Sequence, residues 1–200
     1  MNLAIANDWM HKNPFAGIRF QEKEVIREVL TKEEIERMMC KEFALPRLEY
    51  VRDVFIFCVF TGMAYVDVNN LRQEHIVRDN NDDLWIRKAR QKTNNMCNIP
   101  LLKIPQLLME KYKNHPLCTK TGALLPVPSN QKMNSYLKEI ADFCGIQKNL
   151  TTHTARHTFA TVVALANGVS MENIAKMLGH SDIRMTQRLS LIHISEPTRL

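Results

Sequence analysis

Apolar residues recur along most of this chain every three or four positions, as on the buried face of a helix; one stretch alternates, as in a half-buried strand. Residues 1–13 read as the end of a helix stopped at Asn13-Pro14, because a residue before proline avoids the helical region. Residues 17–29 are charged and weakly patterned, like a linker. Thr31-Lys-Glu-Glu34 is a capping box, and Ile35, Met38 and Met39 follow at helical spacing. Tyr50 to Phe60 holds Val51, Val54, Phe55, Phe57, Cys58 and Val59, which predicts a helix buried on most sides and ended by Gly62. Asp67 to Leu71 predicts a short second helix. Leu84 to Lys88 and Met96 to Leu101 predict two strands, with Asn94-Asn95 near the turn between them.

Beyond the hairpin, Pro105 opens a helix to about Lys113. Residues 114–129 carry three prolines and predict a loop. Gln131 to Cys144 is helical and capped by Gly145. Thr151 or Thr152 caps a helix to Ala166, closed by Asn167-Gly168. Ser170 caps another that ends at Gly179, and Ser181 caps a last one. The fold class that results is α+β, mostly α-helical, with one small antiparallel hairpin or sheet.

Composition adds exclusions. With 45% hydrophobic and 24% charged residues over 200 positions, the chain is neither disordered, collagen-like nor a disulfide-stapled miniprotein. No apolar run approaches the roughly 20 residues of a membrane span. Asn7, Asp8, His11 and Lys12 interrupt any signal-peptide centre. Five scattered cysteines without a CxxC pair read as buried thiols of a reducing cytoplasm, the expected location. The net charge is +6, and Arg87 to Lys113 carries seven basic residues against Glu110, so that stretch alone accounts for +6. This is either a surface for a polyanion or a solvated face.

The candidate chemistry begins at His153-Thr-Ala-Arg156-His157. On a helix, positions 153, 156 and 157 share a face. Two imidazoles and a planar guanidinium there suit a phosphate. The same segment also suits a helix start whose histidines bond nearby loops. A metal site would need an acid between the histidines, where Thr154 and Ala155 stand. Leu178-Gly179-His180 lies at a helix end, where a histidine can simply complement the dipole. Arg90-Gln-Lys92-Thr93 followed by Asn98-Ile-Pro100-Leu101 places a lysine on a short hairpin, which is equally a polar turn.

Taken together, Leu30-Thr-Lys-Glu-Glu34, Phe60-Thr-Gly-Met-Ala-Tyr-Val-Asp67-Val, Gln91-Lys-Thr93, His153-Thr-Ala-Arg156-His157-Thr-Phe-Ala-Thr161 and Lys176-Met-Leu-Gly-His180-Ser match one pattern in order and spacing. From about Asn7 to Arg188 the chain resembles the tyrosine recombinases, the phage-type integrases, most closely those of conjugative transposons. The resemblance implies residues 1–16 as a remnant of an N-terminal core-binding domain, 17–29 as linker and 30–188 as an incomplete catalytic domain. It implies site-specific DNA strand cleavage and rejoining through a 3′-phosphotyrosine ester, which conserves bond energy without metal or small-molecule cofactor. Arg156 would clamp the phosphate, His153 and His180 would donate hydrogen bonds or move protons, and Lys92 would be general acid toward the leaving 5′-oxygen. His157 would support packing, and Asp67 would orient the first motif. Arg87, Lys88 and Arg90 would meet the backbone of double-stranded DNA. The full-length protein would assemble on DNA as a tetramer, with no membrane partner.

Two positions depart from the family. Ala64 stands where an arginine usually follows Thr-Gly-Leu/Met, so another cation is expected there, with Arg52, Arg87 and Arg90 as candidates. The nucleophilic tyrosine commonly lies nine residues beyond the Leu-Gly-His histidine; position 189 is Leu, and no tyrosine follows Tyr136. Residues 189–199, Leu-Ser-Leu-Ile-His-Ile-Ser-Glu-Pro-Thr-Arg, match in frame the translation of a transposase-type library adapter, so 189–200 is expected to be a non-native tail. The alternatives are a non-catalytic DNA-binding protein on the recombinase fold and a helix-turn-helix regulator around residues 168–188.

Overall fold

The structure is a computed structural model that describes residues 2–15, 28–180, 182 and 184–187. Most of the expected linker, Ser181 and residues 188–200 with the expected tail lie outside the described residues. The first helix is short: α1 spans Asn2–Ala6, and Asp8 at φ 54° turns the chain well before Pro14. The expectation of helix to residue 13 is thereby corrected. The Asn7 side chain donates to the Leu3 carbonyl and helps close that end.

Helix α2 (Lys32–Cys40) starts at the capping box: Thr31 Oγ1 accepts from the Glu34 N–H at 3.2 Å and Glu34 Oε2 accepts from the Thr31 N–H at 2.8 Å. It buries Ile35 and Met38. Helix α3 (Pro46–Thr61) begins four residues earlier than expected, because Pro46 fits the first turn. It is apolar nearly all round and is the centre of the molecule, packed by α2 and, further along the chain, by α5, α7 and α8. Helix α4 (Tyr65–Asn69) follows after Gly62.

Three strands then form one antiparallel sheet in the order β1 (Ile76–Arg78), β2 (Leu84–Ala89), β3 (Met96–Pro100). Ile86 pairs with Ile99, and both side chains are buried. The sequence shows the hairpin but not β1, whose three residues are too few to display a period. Helix α5 (Lys103–Tyr112) takes Pro105 at its third position. Helix α6 (Pro116–Thr121) replaces the loop expected over 114–129: His115 Nδ1 accepts from the Leu117 N–H, and Pro116 suits a first turn. Helix α7 (Asn130–Phe143) ends in the expected Gly145 turn.

Helix α8 (Thr152–Thr158) opens at Thr151 and then widens. Phe159–Ala164 is a π-helical turn and Leu165–Asn167 a 3₁₀ turn, so the run to Gly168 is continuous but not uniform. Helix α9 (Met171–Met177) is capped by Ser170 and packs Ile174 and Leu178 on Phe159, Ala160 and Ala164. Residues 184–187 are helical. No helix among the described residues is long and apolar enough to cross a membrane. Cys58, Cys97, Cys118 and Cys144 are buried free thiols, whereas Cys40 is exposed. Burial pushes the Cys58 thiol up to about 12, against the opposing pull of Arg156.

One buried acid joins α3 to α5. Asp53, 3% exposed, accepts from Arg52 Nε at 2.7 Å, Lys111 Nζ at 2.7 Å and the Tyr112 hydroxyl at 2.6 Å. Lys111 also pairs with Glu49, and Lys113 with Glu110. The basic stretch read from sequence is therefore partly neutralised within the fold. Removing the shared acceptor strands two cations, so Asp53→Ala should lower stability by about 3 kcal/mol. Tyr112→Phe, which removes one donor, should cost about 1 kcal/mol. Urea unfolding of both variants checks the ranking.

Candidate nucleic-acid interface

Arg156 sits on the buried side of α8, 8% exposed. Its guanidinium donates to the Gly62 carbonyl at 2.6 Å and to the Leu178 carbonyl. These carbonyls close α3 and α9, where helix ends leave unpaired acceptors and negative dipole ends. Gly62 makes the approach possible. Its φ is +67°, and a Cβ there would lie 2.4 Å from Phe159 Cδ1 and 2.7 Å from Leu178 Cδ2. Burial, then the neighbouring Arg90 charge, lowers the Arg156 pKa to about 10, so the group remains cationic at neutral pH. Among the described residues no carboxylate lies within ion-pair distance of it.

Arg90 follows β2 and is the second cation of the site. Its Nη1 donates to the Gly179 carbonyl at 3.5 Å, while its buried Nε has no hydrogen-bond partner among the described residues. Its charge is felt by both Arg156 and His180. The other two candidates for the cation missing at Ala64 lie elsewhere. Arg52 is held by Asp53 and the Lys41 carbonyl beside α2. Arg87 is exposed on β2 and donates to Asn98 Oδ1.

His180 follows the Gly179 turn, with Nδ1 2.8 Å from the hydroxyl of the buried Thr186. Burial first, then the charges of Arg156, Arg90 and His157, lowers its pKa to about 4. At neutral pH it is an uncharged imidazole, able to accept a proton or to donate one hydrogen bond. Lys92 is exposed on the turn between β2 and β3. Lys88 instead points toward the His75 ring, 3.2 Å from Nε2. His153 is exposed one turn before Arg156, and His157 is buried. Asp67, 6% exposed, accepts from the Gln91 N–H at 3.0 Å, so it reaches the lysine turn.

Arg156, Arg90 and His180 thus converge at the ends of α3 and α9, with the Lys92 turn at their edge. Two guanidiniums in electrostatic contact, one of them desolvated and neither ion-paired among the described residues, favour an anion between them. Sequence reasoning missed Thr186 and the Gly179 carbonyl. Neither has a motif, because each acts through a contact made only on folding.

Comparisons with known proteins agree with this arrangement. A family model described as the phage integrase family matches residues 28–190, more than half of the chain. Tyrosine recombinase XerD of Staphylococcus saprophyticus is 39% identical over 92 residues, covering 46% of this chain and 29% of that protein. XerD of Halalkalibacterium halodurans is 46% identical over 82 residues, covering 41% and 26%. The match therefore spans under a third of these relatives' length. A lambda integrase dimer bound to a COC′ core site superposes with a TM-score of 0.74 at 18% identity, over 100% of this chain and 71% of that one. The Tn1549 transposon integrase with transposon right end DNA gives 0.64 at 17% identity, over 94% and 70%. At these identities the likeness is one of fold.

The low His180 pKa has a consequence for stability. The unfolded histidine gains its proton near the ordinary 6.5, whereas the folded one gains it only near 4. The unfolded state therefore binds more protons in that window, and stability falls as pH drops through it. Imidazole NMR should show His180 unprotonated at pH 5. The same part of the pH–stability slope should be missing in His180→Asn.

Proposed function

The chain belongs to the phage integrase family, and from that premise we propose that it is the catalytic domain of a site-specific DNA recombinase. The supporting observation is the convergence of Arg156, Arg90 and His180 on one unpaired cationic locus. Arg90 fills the role of the arginine expected at Ala64. A scissile phosphate seated there receives hydrogen bonds to its non-bridging oxygens from the two guanidiniums, where negative charge concentrates in the transition state.

The chemistry proposed is transesterification. A tyrosine oxygen bonds to phosphorus, the bond from phosphorus to the 5′-oxygen breaks, and a 3′-phosphotyrosine ester results. Lys92 gives its proton to the leaving 5′-oxygen, while neutral His180 or His153 takes the tyrosine's proton. A 5′-hydroxyl of another strand reverses the step. Double-stranded DNA is the partner, and assembly as a tetramer on DNA belongs to the full-length protein. The tyrosine's place is position 189, which is Leu here. The chain as written would bind DNA without cleaving it.

Ala64 and Leu189 also favour a second reading, a non-catalytic DNA-binding protein on the same fold. Sequencing the source DNA across codons 188 and 189 separates the two. Tyrosine at 189 is expected for the enzyme, and Leu189 in clean DNA favours the second reading.

DNA contact itself is tested by titrating a short duplex at several salt concentrations. The logarithm of affinity should fall linearly with that of salt. Arg87→Ala and Arg90→Ala should each reduce the slope by about 0.9, the value for one phosphate contact. Affinity independent of salt would remove the nucleic-acid reading altogether.

A further inference from the structure

The turn that carries Lys92 is an exposed hairpin tip, which is ordinarily where a chain is most mobile. Here it is tied down on both sides. On one side the Gln91 N–H donates to Asp67 Oδ1 at 3.0 Å, and the Asn70 amide donates to Gln91 Oε1 at 3.2 Å. On the other side the buried Gly179 carbonyl accepts from the Thr93 hydroxyl at 3.1 Å and from Asn95 Nδ2 at 3.4 Å. Arg90 Nη1 reaches the same oxygen. Within the turn, the Arg90 N–H donates to the Asn95 carbonyl, the Asn94 N–H donates to the Arg90 carbonyl, and Asn94 takes a φ of 56°.

Gly179 can serve this purpose because it is glycine. Its φ is +60°, and a Cβ on it would lie 2.6 Å from Cys97 Sγ on β3 and 3.3 Å from Arg90 Cδ. The hairpin therefore rests directly on the turn that leads into His180. None of the side chains making these contacts is the lysine itself. Lys92 stays exposed, its backbone fixed between α4 and the end of α9.

We propose that Thr93 and Asn95 are positioning residues that clasp the Lys92 turn onto the Gly179 carbonyl and so hold the lysine beside His180. This rests on the recombinase reading of the site. The clasp sets the distance between a general acid on the hairpin and an imidazole on the α9 turn, two elements that otherwise meet only through packing. It also orders the turn without DNA, so Lys92 needs no separate docking step when a phosphate arrives.

Two measurements on the full chain test this. The first is amide hydrogen exchange at residues 91–95 in the wild type, Thr93→Val, Thr93→Ser and Asn95→Ala. Thr93→Val keeps the shape and removes the donor, so exchange at the turn should rise roughly fivefold, as for one lost hydrogen bond. Exchange in α3 should not change, and Thr93→Ser should behave as wild type. The second is duplex affinity against salt for Thr93→Val, Lys92→Ala and the double variant. Lys92→Ala should lower the slope by about 0.9. Thr93→Val should lower affinity in the wild type and have no further effect once Lys92 is gone, which an unrelated structural role would not produce. Unchanged exchange at the turn, or losses of affinity that add, overturns the clasp and leaves the recombinase reading standing. A chain that binds no duplex overturns that reading and this role with it.

Discussion

A single buried guanidinium sets the geometry on which the rest of the site depends. Arg156 ties the last carbonyls of α3 and α9 to the middle of α8. Helix ends point unpaired carbonyls at whatever lies beyond them, and a buried end without partners is costly. Here each need answers the other: two acceptor-rich ends meet one cation with several donors. Because α3 is the central helix, the cation is referenced to the whole core and not to a surface loop. Phe159 and Leu178 close on Gly62 from the same side, which leaves room for no side chain there.

Concentrating charge in this way has an electrostatic consequence. Arg90 lies close enough to oppose Arg156, and both disfavour a proton on His180. The empty site is a place of mutual repulsion that an anion relieves. Asp67 and the thiols of Cys58 and Cys97 moderate the field without neutralising it. The fold elsewhere treats charge differently: around Asp53, cation and anion are matched within hydrogen-bond reach. Two buried polar regions of one domain thus follow opposite rules, one balanced and one left positive.

Much of this was legible in the sequence. The Thr31 box, the apolar run of α3 and the glycines at 62, 145 and 168 mark element ends through local chemistry, and the helices lie where those signals place them. The motifs around Arg156 and His180 also identified two groups that share the site. Local chemistry could not identify β1, whose pairing energy comes from β2, or α6, whose prolines fit a first helical turn as readily as a loop. Nor could it separate Arg90 from Arg52 and Arg87. All three are arginines near apolar residues, and only the packing of β2 against the end of α9 decides which one faces Arg156. Gly179 presents the same problem, since its value lies in a carbonyl that any residue has and in a vacancy that only the fold creates.

The π-helical turn at Phe159–Ala164 gives the site a sensitivity to chain length. A π turn holds more residues than the α turn it replaces, so it amounts to one residue inserted into a helix. Deleting one residue within it would let the segment relax to ordinary α geometry, in which each residue advances about 100° around the axis. Everything after it would rotate by that angle relative to Arg156. Leu178 would leave Gly62, and His180 would swing away from the guanidiniums. Substitutions in this turn alter packing by degrees, whereas a change in its length takes the active centre apart, which makes residue count here a more stringent constraint than residue identity.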